Sequence, residues 1–215
     1  MIKNYLNYTN FLLWLEERSA PGHSLRLEED SLISDQAEIC RLPLIHRDLD
    51  LQSFDELDEL LDEPDFYGIF LIQAGRASLG LAQADRVLAT KQIRKYMVRK
   101  TQGKSQLAYL HEKGKSRLGS RIRLRQTDQF FVEINQQWQE WQEEYAVKRI
   151  FLSCSPKLKG AWFAAKSSTA LRNTVDSWVR IPFHVDAPSF DELQRIHTLL
   201  CRAQIVENSK TNTDV

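Results

Sequence analysis

Apolar residues run from Phe66 to Ile72, interrupted only by Gly68, between turn-forming stretches. A short continuous run of this kind predicts a strand buried on both faces. Gly75-Arg76 turns the chain into a second strand over Ala77–Ala82. Ala84-Asp85 then turns it into a long third strand over Arg86–Val98, rich in β-branched and basic residues. Three such strands in succession form an antiparallel meander. Farther on, Phe130, Ile134, Trp138, Trp141 and Tyr145 recur at steps of four, four, three and four. That spacing places one apolar stripe along a long amphipathic helix. An aromatic stripe at helical spacing is a core face before it is a platform for stacking bases.

Lys148–Cys154 reads as a further strand and Pro156–Ala165 as the start of a helix. Val179–Phe183 is a short edge strand, because Pro182 has no N–H to give to a ladder. Ser189-Phe190-Asp191-Glu192 is a capping box that opens a final helix with Leu193, Ile196 and Leu200 facing inward. The order β-β-β-α-β-α-β-α predicts an α/β fold, a mixed β-sheet flanked by helices. Residues 1–64 read as an N-terminal accessory segment. Within it Leu6–Leu15 is a short helix, broken by Pro21-Gly22, and a loose stretch with little periodicity runs to Pro43. Ser53-Phe54-Asp55-Glu56 then caps a short helix with Leu57, Leu60 and Leu61 inward, ended by Pro64. The main domain spans 65–205, and 206–215 is a polar, disordered tail.

Charge changes this picture more than composition does. The formal net charge is zero. Yet Glu28–Asp65 holds fourteen Asp/Glu against two Arg, and Lys91–Arg125 holds twelve Lys/Arg against the single acid Glu112. The basic stretch favours a polyanion as partner, in a salt-dependent manner. Thr101–Ser120, with Gly103, Gly114 and Gly119 among lysines, reads as a mobile basic loop. The apolar run Phe11–Leu15 is too short for a signal peptide or a membrane span. The three cysteines, Cys40, Cys154 and Cys201, are odd in number and far apart, with no CxxC pair. These features predict a soluble, cytoplasmic protein with no disulfide framework and no zinc site.

Several chemistries lack their motif in this sequence. Gly103-Lys104-Ser105 and Gly114-Lys115-Ser116 lack the earlier glycine of a phosphate-binding loop, with Val98 and Tyr109 in its place. No histidine lies beside a nucleophile signature such as GxSxG, although His111 falls in the basic loop. A metal-dependent nuclease would want carboxylates in the basic region. Only Glu112 and Asp128 are there. No metal and no cofactor are expected.

The segment Tyr96-Met97-Val98-Arg99-Lys100-Thr101-Gln102-Gly103-Lys104-Ser105-Gln106 resembles the loop of the Vms-like release-factor family, approximately RYTxRxKQGGSQ. Lys113-Gly114-Lys115-Ser116-Arg117-Leu118-Gly119-Ser120 is similar to that family's KGKxxSAGSxLRR segment. Gly68–Gly80 resembles its strand-turn-strand, and Arg149–Leu152, Ile181–Phe183 and the helix after Pro188 resemble its C-terminal half. The resemblance runs from about 65 to 203. It implies the fold of the middle, glutamine-loop domain of eukaryotic and archaeal class I release factors, in a compact prokaryotic-type member. It also implies action on peptidyl-tRNA at the large ribosomal subunit in ribosome rescue, by nascent-chain release or by cleavage near the tRNA 3′ end. On this matching Gln106 is the catalytic position and Gly103 its hinge. Arg94, Lys95, Arg99, Lys100, Lys104, Lys113, Lys115, Arg117, Arg121, Arg123 and Arg125 are the RNA-binding residues. Lys104 stands where the family has its second glycine, and Arg94-Lys95 where it has His-Arg. The alternative is a tRNA- or ribosome-binding module of the same fold without chemistry.

Overall fold

The computed structural model describes residues 4–95, 115–164 and 177–206, the side chains of 115–126 and of Ser177 excepted. In chain order the strands are β1 Asn4–Leu6, β2 Leu25–Glu28, β3 Ser31–Ser34, β4 Ile39–Arg41, β5 Phe66–Gln73, β6 Arg76–Gln83, β7 Arg86–Arg94, β8 Arg149–Cys154, β9 Ser177–Arg180 and β10 Ala203–Val206. The α-helices are α1 Tyr8–Ser19, α2 Phe54–Asp62, α3 Lys115–Tyr145, α4 Pro156–Ala164 and α5 Phe190–Leu200. The chain packs as two compact units.

The first unit takes Met1–Asp65, Gln83–Arg86 and Arg195–Val215. Its sheet has the order β1-β10-β4-β3-β2, antiparallel throughout. The expected helix over Leu6–Leu15 is shifted. Leu6 ends β1, and Asn7 caps α1 by accepting from the Asn10 N–H at 2.8 Å. The stretch expected to be loose holds the β2–β3 hairpin and β4 instead. Leu25-Arg26-Leu27-Glu28 alternates apolar and charged residues, and its burial alternates with it. Glu29, at φ 52°, makes the reversal to β3. Strand β10 was not expected either. It is four residues long and gains its stability by pairing with β1 on one side and β4 on the other. Ser53 caps α2 as predicted, accepting from the Glu56 N–H at 3.2 Å.

The second unit, Phe66–Ala82 with Val87–Gln194, is built on a mixed sheet ordered β7-β6-β5-β8-β9. Two-residue links join β5 to β6 and β6 to β7, which is the predicted meander. β8 lies parallel to β5, with Tyr67 opposite Arg149 and Ile72 opposite Cys154. β9 lies parallel to β8 at the edge of the sheet, but it runs Ser177–Arg180, beginning two residues earlier than the expected Val179–Phe183 and ending before Pro182. β5 is buried from Tyr67 to Ile72, which explains its uninterrupted apolar run. Gly80 of β6 lets the buried Leu193 side chain of α5 pack close, because a Cβ there would meet it at 3.0 Å.

The stripe on α3 is core, as its spacing predicts. Phe130, Ile134, Trp138 and Trp141 pack with Phe70, Leu79, Ile150 and Trp162. Phe70 and Trp138 meet edge to face at 5.8 Å, and Tyr145 sits against Phe66 at 5.2 Å. α3 starts much earlier than its apolar period suggested. Lys115–Ser120, expected in a loop, are its first residues. Arg, Lys, Leu and Gln are good helix formers, and a glycine such as Gly119 costs only about 1 kcal/mol in a helix of this length. Residues 207–215, expected as a tail, lie outside the described residues.

Candidate nucleic-acid interface

Strand direction decides where the basic residues gather. β5, β8 and β9 are parallel, and two tight reversals return β7 to the direction of β5. The carboxyl ends of these four strands therefore lie at one end of the sheet. Open α/β sheets bind ligands outside the carboxyl ends of their strands. Arg94 closes β7 there and is exposed. Lys95 follows, its backbone N–H donating to the Gly75 carbonyl at 2.9 Å. Its ammonium lies 2.7 Å from the Glu133 carboxylate of α3.

That ion pair sets the level of α3 against the sheet. Tyr145, at the other end of the helix, touches Phe66 where β5 begins. From Glu133 the helix runs back 18 residues to Lys115, about 27 Å of further length at 1.5 Å per residue. Lys115, Arg117, Arg121, Arg123 and Arg125 all belong to that extension, and it has no acid in its first turn. Positions 117, 121 and 125 follow one another at single-turn intervals. Of the residues predicted to bind RNA, the structure thus places Arg94 and Lys95 at the carboxyl end of the sheet and five more on the adjoining helix. Gly103 and Gln106, with Arg99, Lys100, Lys104 and Lys113, lie outside the described residues. In sequence they fall in 96–114, which joins the end of β7 to the start of α3.

Among the described residues, no group of three or more His, Cys, Asp or Glu could hold a metal ion. Burial pushes the Cys154 thiol up to about 11 and the Cys40 thiol up to about 12, so neither supplies a thiolate near neutral pH. The first unit holds a contact that the sequence reading missed. His197 Nε2 lies 3.5 Å from Cys201 Sγ, and both residues are buried. Their spacing of four along α5 was the available signal. Burial lowers the His197 pKa, and the thiol also meets the Ala84 carbonyl at 3.6 Å. At 6% and 4% exposure the pair is part of the packing. A second buried pair, Tyr8 hydroxyl to His46 Nε2 at 2.9 Å, lies between α1 and the turn after β4. No helix among the described residues is long and apolar enough to cross a membrane.

Among solved structures, the Vms1 mitochondrial localization core aligns over 94% of this chain and 84% of that one, with a TM-score of 0.51 at 12% identity. At that identity the likeness is one of fold. The archaeal translation termination factor aRF1 aligns over 66% of this chain and 36% of that one, with a TM-score of 0.40 at 15% identity. No curated protein sequence matches. The family described as Bacteroidetes VLRF1 release factor matches residues 67–208, which runs from β5 past β10 and includes the 96–114 connection. The chain belongs to the Bacteroidetes VLRF1 release-factor family.

Proposed function

We propose that this release-factor relative hydrolyses peptidyl-tRNA on stalled ribosomes, with Gln106 as the catalytic side chain and Gly103 as the hinge that lets its loop turn. The observation that carries the reading is the place of Gly103–Gln106. They occupy the connection between two basic elements, β7 with Arg94–Lys95 and α3 with Lys115–Arg125, inside the stretch matched by the family. A glutamine has no useful pKa and cannot be a general base. It can orient a water and donate hydrogen bonds to negative charge that develops in the transition state, as can backbone N–H groups near it. The flanking lysines and arginines neutralise RNA phosphates. No step needs a metal or cofactor, and the site of action is the cytoplasm, at the large ribosomal subunit.

The bond broken is the peptidyl ester or a phosphodiester near the tRNA 3′ end. Incubating the protein with stalled ribosome–nascent-chain complexes, and reading peptide release and tRNA 3′-end length together, separates the two. Lys104 supports a second reading. Where the Vms-like family carries its second glycine, a lysine restricts conformations with positive φ. A loop so restricted would occupy the tRNA or ribosomal site without chemistry. Lys104→Gly decides between them: a gain in activity shows that the lysine restrains the loop.

A further inference from the structure

A second basic surface lies at the same end of the mixed sheet, on the edge opposite β7. Between Lys148 and Ala164, and again between Ser177 and Val185, the chain has no Asp or Glu. Ser155 follows β8 and caps α4, accepting from the Leu158 N–H at 3.3 Å. α4 therefore begins at the carboxyl end of the strands, and Lys157 in its first turn is exposed. Lys159, one half-turn on, has its ammonium 5.4 Å from the centre of the Phe163 ring and 5.7 Å from that of Trp178 on β9. The two rings meet edge to face at 5.6 Å. Arg180 lies two residues beyond Trp178, so on the same face of β9, and it is exposed. An ammonium seated against two rings keeps its position while its remaining N–H donors point away from them. Lys157, Lys159 and Arg180 thus gather positive charge at the start of α4 and the end of β9, with Lys159 alone seated on aromatic rings and no acid on either element.

We infer that this patch binds the phosphate backbone of the paired acceptor stem of the tRNA whose 3′ end the 96–114 segment engages. The inference rests on the peptidyl-tRNA reading above. β7 and β9 are separated by four strand spacings, about 19 Å at 4.7–4.9 Å each. That distance spans at least about six base-pair steps of A-form RNA, whose rise is smaller than the roughly 3.4 Å of DNA. An RNA laid along that end of the sheet with its terminus beside β7 and α3 would bring paired phosphates over β9 and α4. Two cationic contacts at one end of a rigid sheet hold the stem at two points and fix its direction.

The test uses the full-length protein and a fluorescent acceptor-stem minihelix ending in CCA, titrated by anisotropy over a range of salt. Replacing Lys157, Lys159 and Arg180 together by Gln should weaken binding and lower the slope of log affinity against log salt by about 2 to 3, at 0.7–0.9 per contact. Lys148→Gln, at the amino end of β8 and so at the other end of the sheet, should leave both unchanged. The pair Lys157→Gln and Arg180→Gln leaves the ring-seated Lys159 in place and should lose about two-thirds of the slope change. It keeps the test valid if the triple variant melts early. A wild-type protein that does not bind the minihelix overturns the peptidyl-tRNA reading and this inference with it. Wild-type binding that both variants retain, with the same slope, overturns this inference alone. Retained minihelix binding with lost ribosome binding would assign the patch to ribosomal RNA and equally overturn it.

Discussion

The ammonium of Lys95 lies 2.7 Å from the Oε1 of Glu133, tying the residue after β7 to the middle of α3. The pair stands where the 96–114 connection begins, and on the proposed reading Glu133 competes with RNA for Lys95. Both side chains are partly exposed, and such a pair contributes about 0.2–1 kcal/mol to stability. Glu133→Gln should therefore leave the fold nearly as stable, tighten tRNA binding and steepen its salt slope by about 0.7–0.9, one phosphate contact. Anisotropy titrations across a salt series check this. Weaker binding by the variant would mean that the bridge positions the loop and does not compete with RNA.

Inside the same unit, the indole N–H of Trp162 donates to the Oδ1 of Asn135 at 2.8 Å. Trp162 is fully buried, and Asn135 is only 8% exposed. Asn135→Leu preserves bulk but removes that acceptor, which should cost about 1–3 kcal/mol. Urea unfolding would show it as a lower midpoint with an unchanged slope. An unchanged midpoint would contradict the bond's contribution.

The pH dependence of stability follows from His197. Burial lowers its pKa, outweighing the Ala84 carbonyl and Asp85, which both act to raise it. Tyr8 and Cys201 also face this region. The unfolded chain, near the ordinary 6.5, then binds the proton more readily than the native state does. The contribution is complete above about pH 6.5 and is lost as pH falls toward the lowered native value. Urea midpoints should fall from pH 7 to pH 5, and His197→Gln should flatten that decline. An equally steep decline in the variant would place its origin elsewhere.

Much of the mixed sheet was legible because burial on both faces leaves a plain record. The run Phe66–Ile72, the aromatic period of α3 and the capping box at Ser189 each carry their own physical signature. The first unit was harder to read. β10 has four residues, and nothing local in Ala203–Val206 distinguishes a strand from a frayed end until β1 and β4 lie on either side of it. The β2–β3 hairpin did carry a signal, the alternation in Leu25–Glu28, but over too few residues to outweigh its polar surroundings. The beginning of α3 was misread because Lys115–Arg125 has charge where a helix in a globular core would have apolar residues. The fold of that stretch is set by helix propensity, with its charge assigned to RNA binding only by the proposed function. On the opposite edge, Lys157, Lys159 and Arg180 drew no notice because Phe163 and Trp178 join them only when α4 packs against β9.

The most direct test of the account is single-turnover release from stalled ribosome–nascent-chain complexes by wild type and Gln106→Ala, with ribosome affinity measured in parallel. The side chain is uncharged, so its removal should leave affinity almost unchanged. Loss of a donor to developing negative charge should slow cleavage on the order of 100- to 1000-fold. Equal release and equal tRNA 3′ ends from the two proteins would contradict catalysis by Gln106 and leave a release-factor fold that binds without cutting.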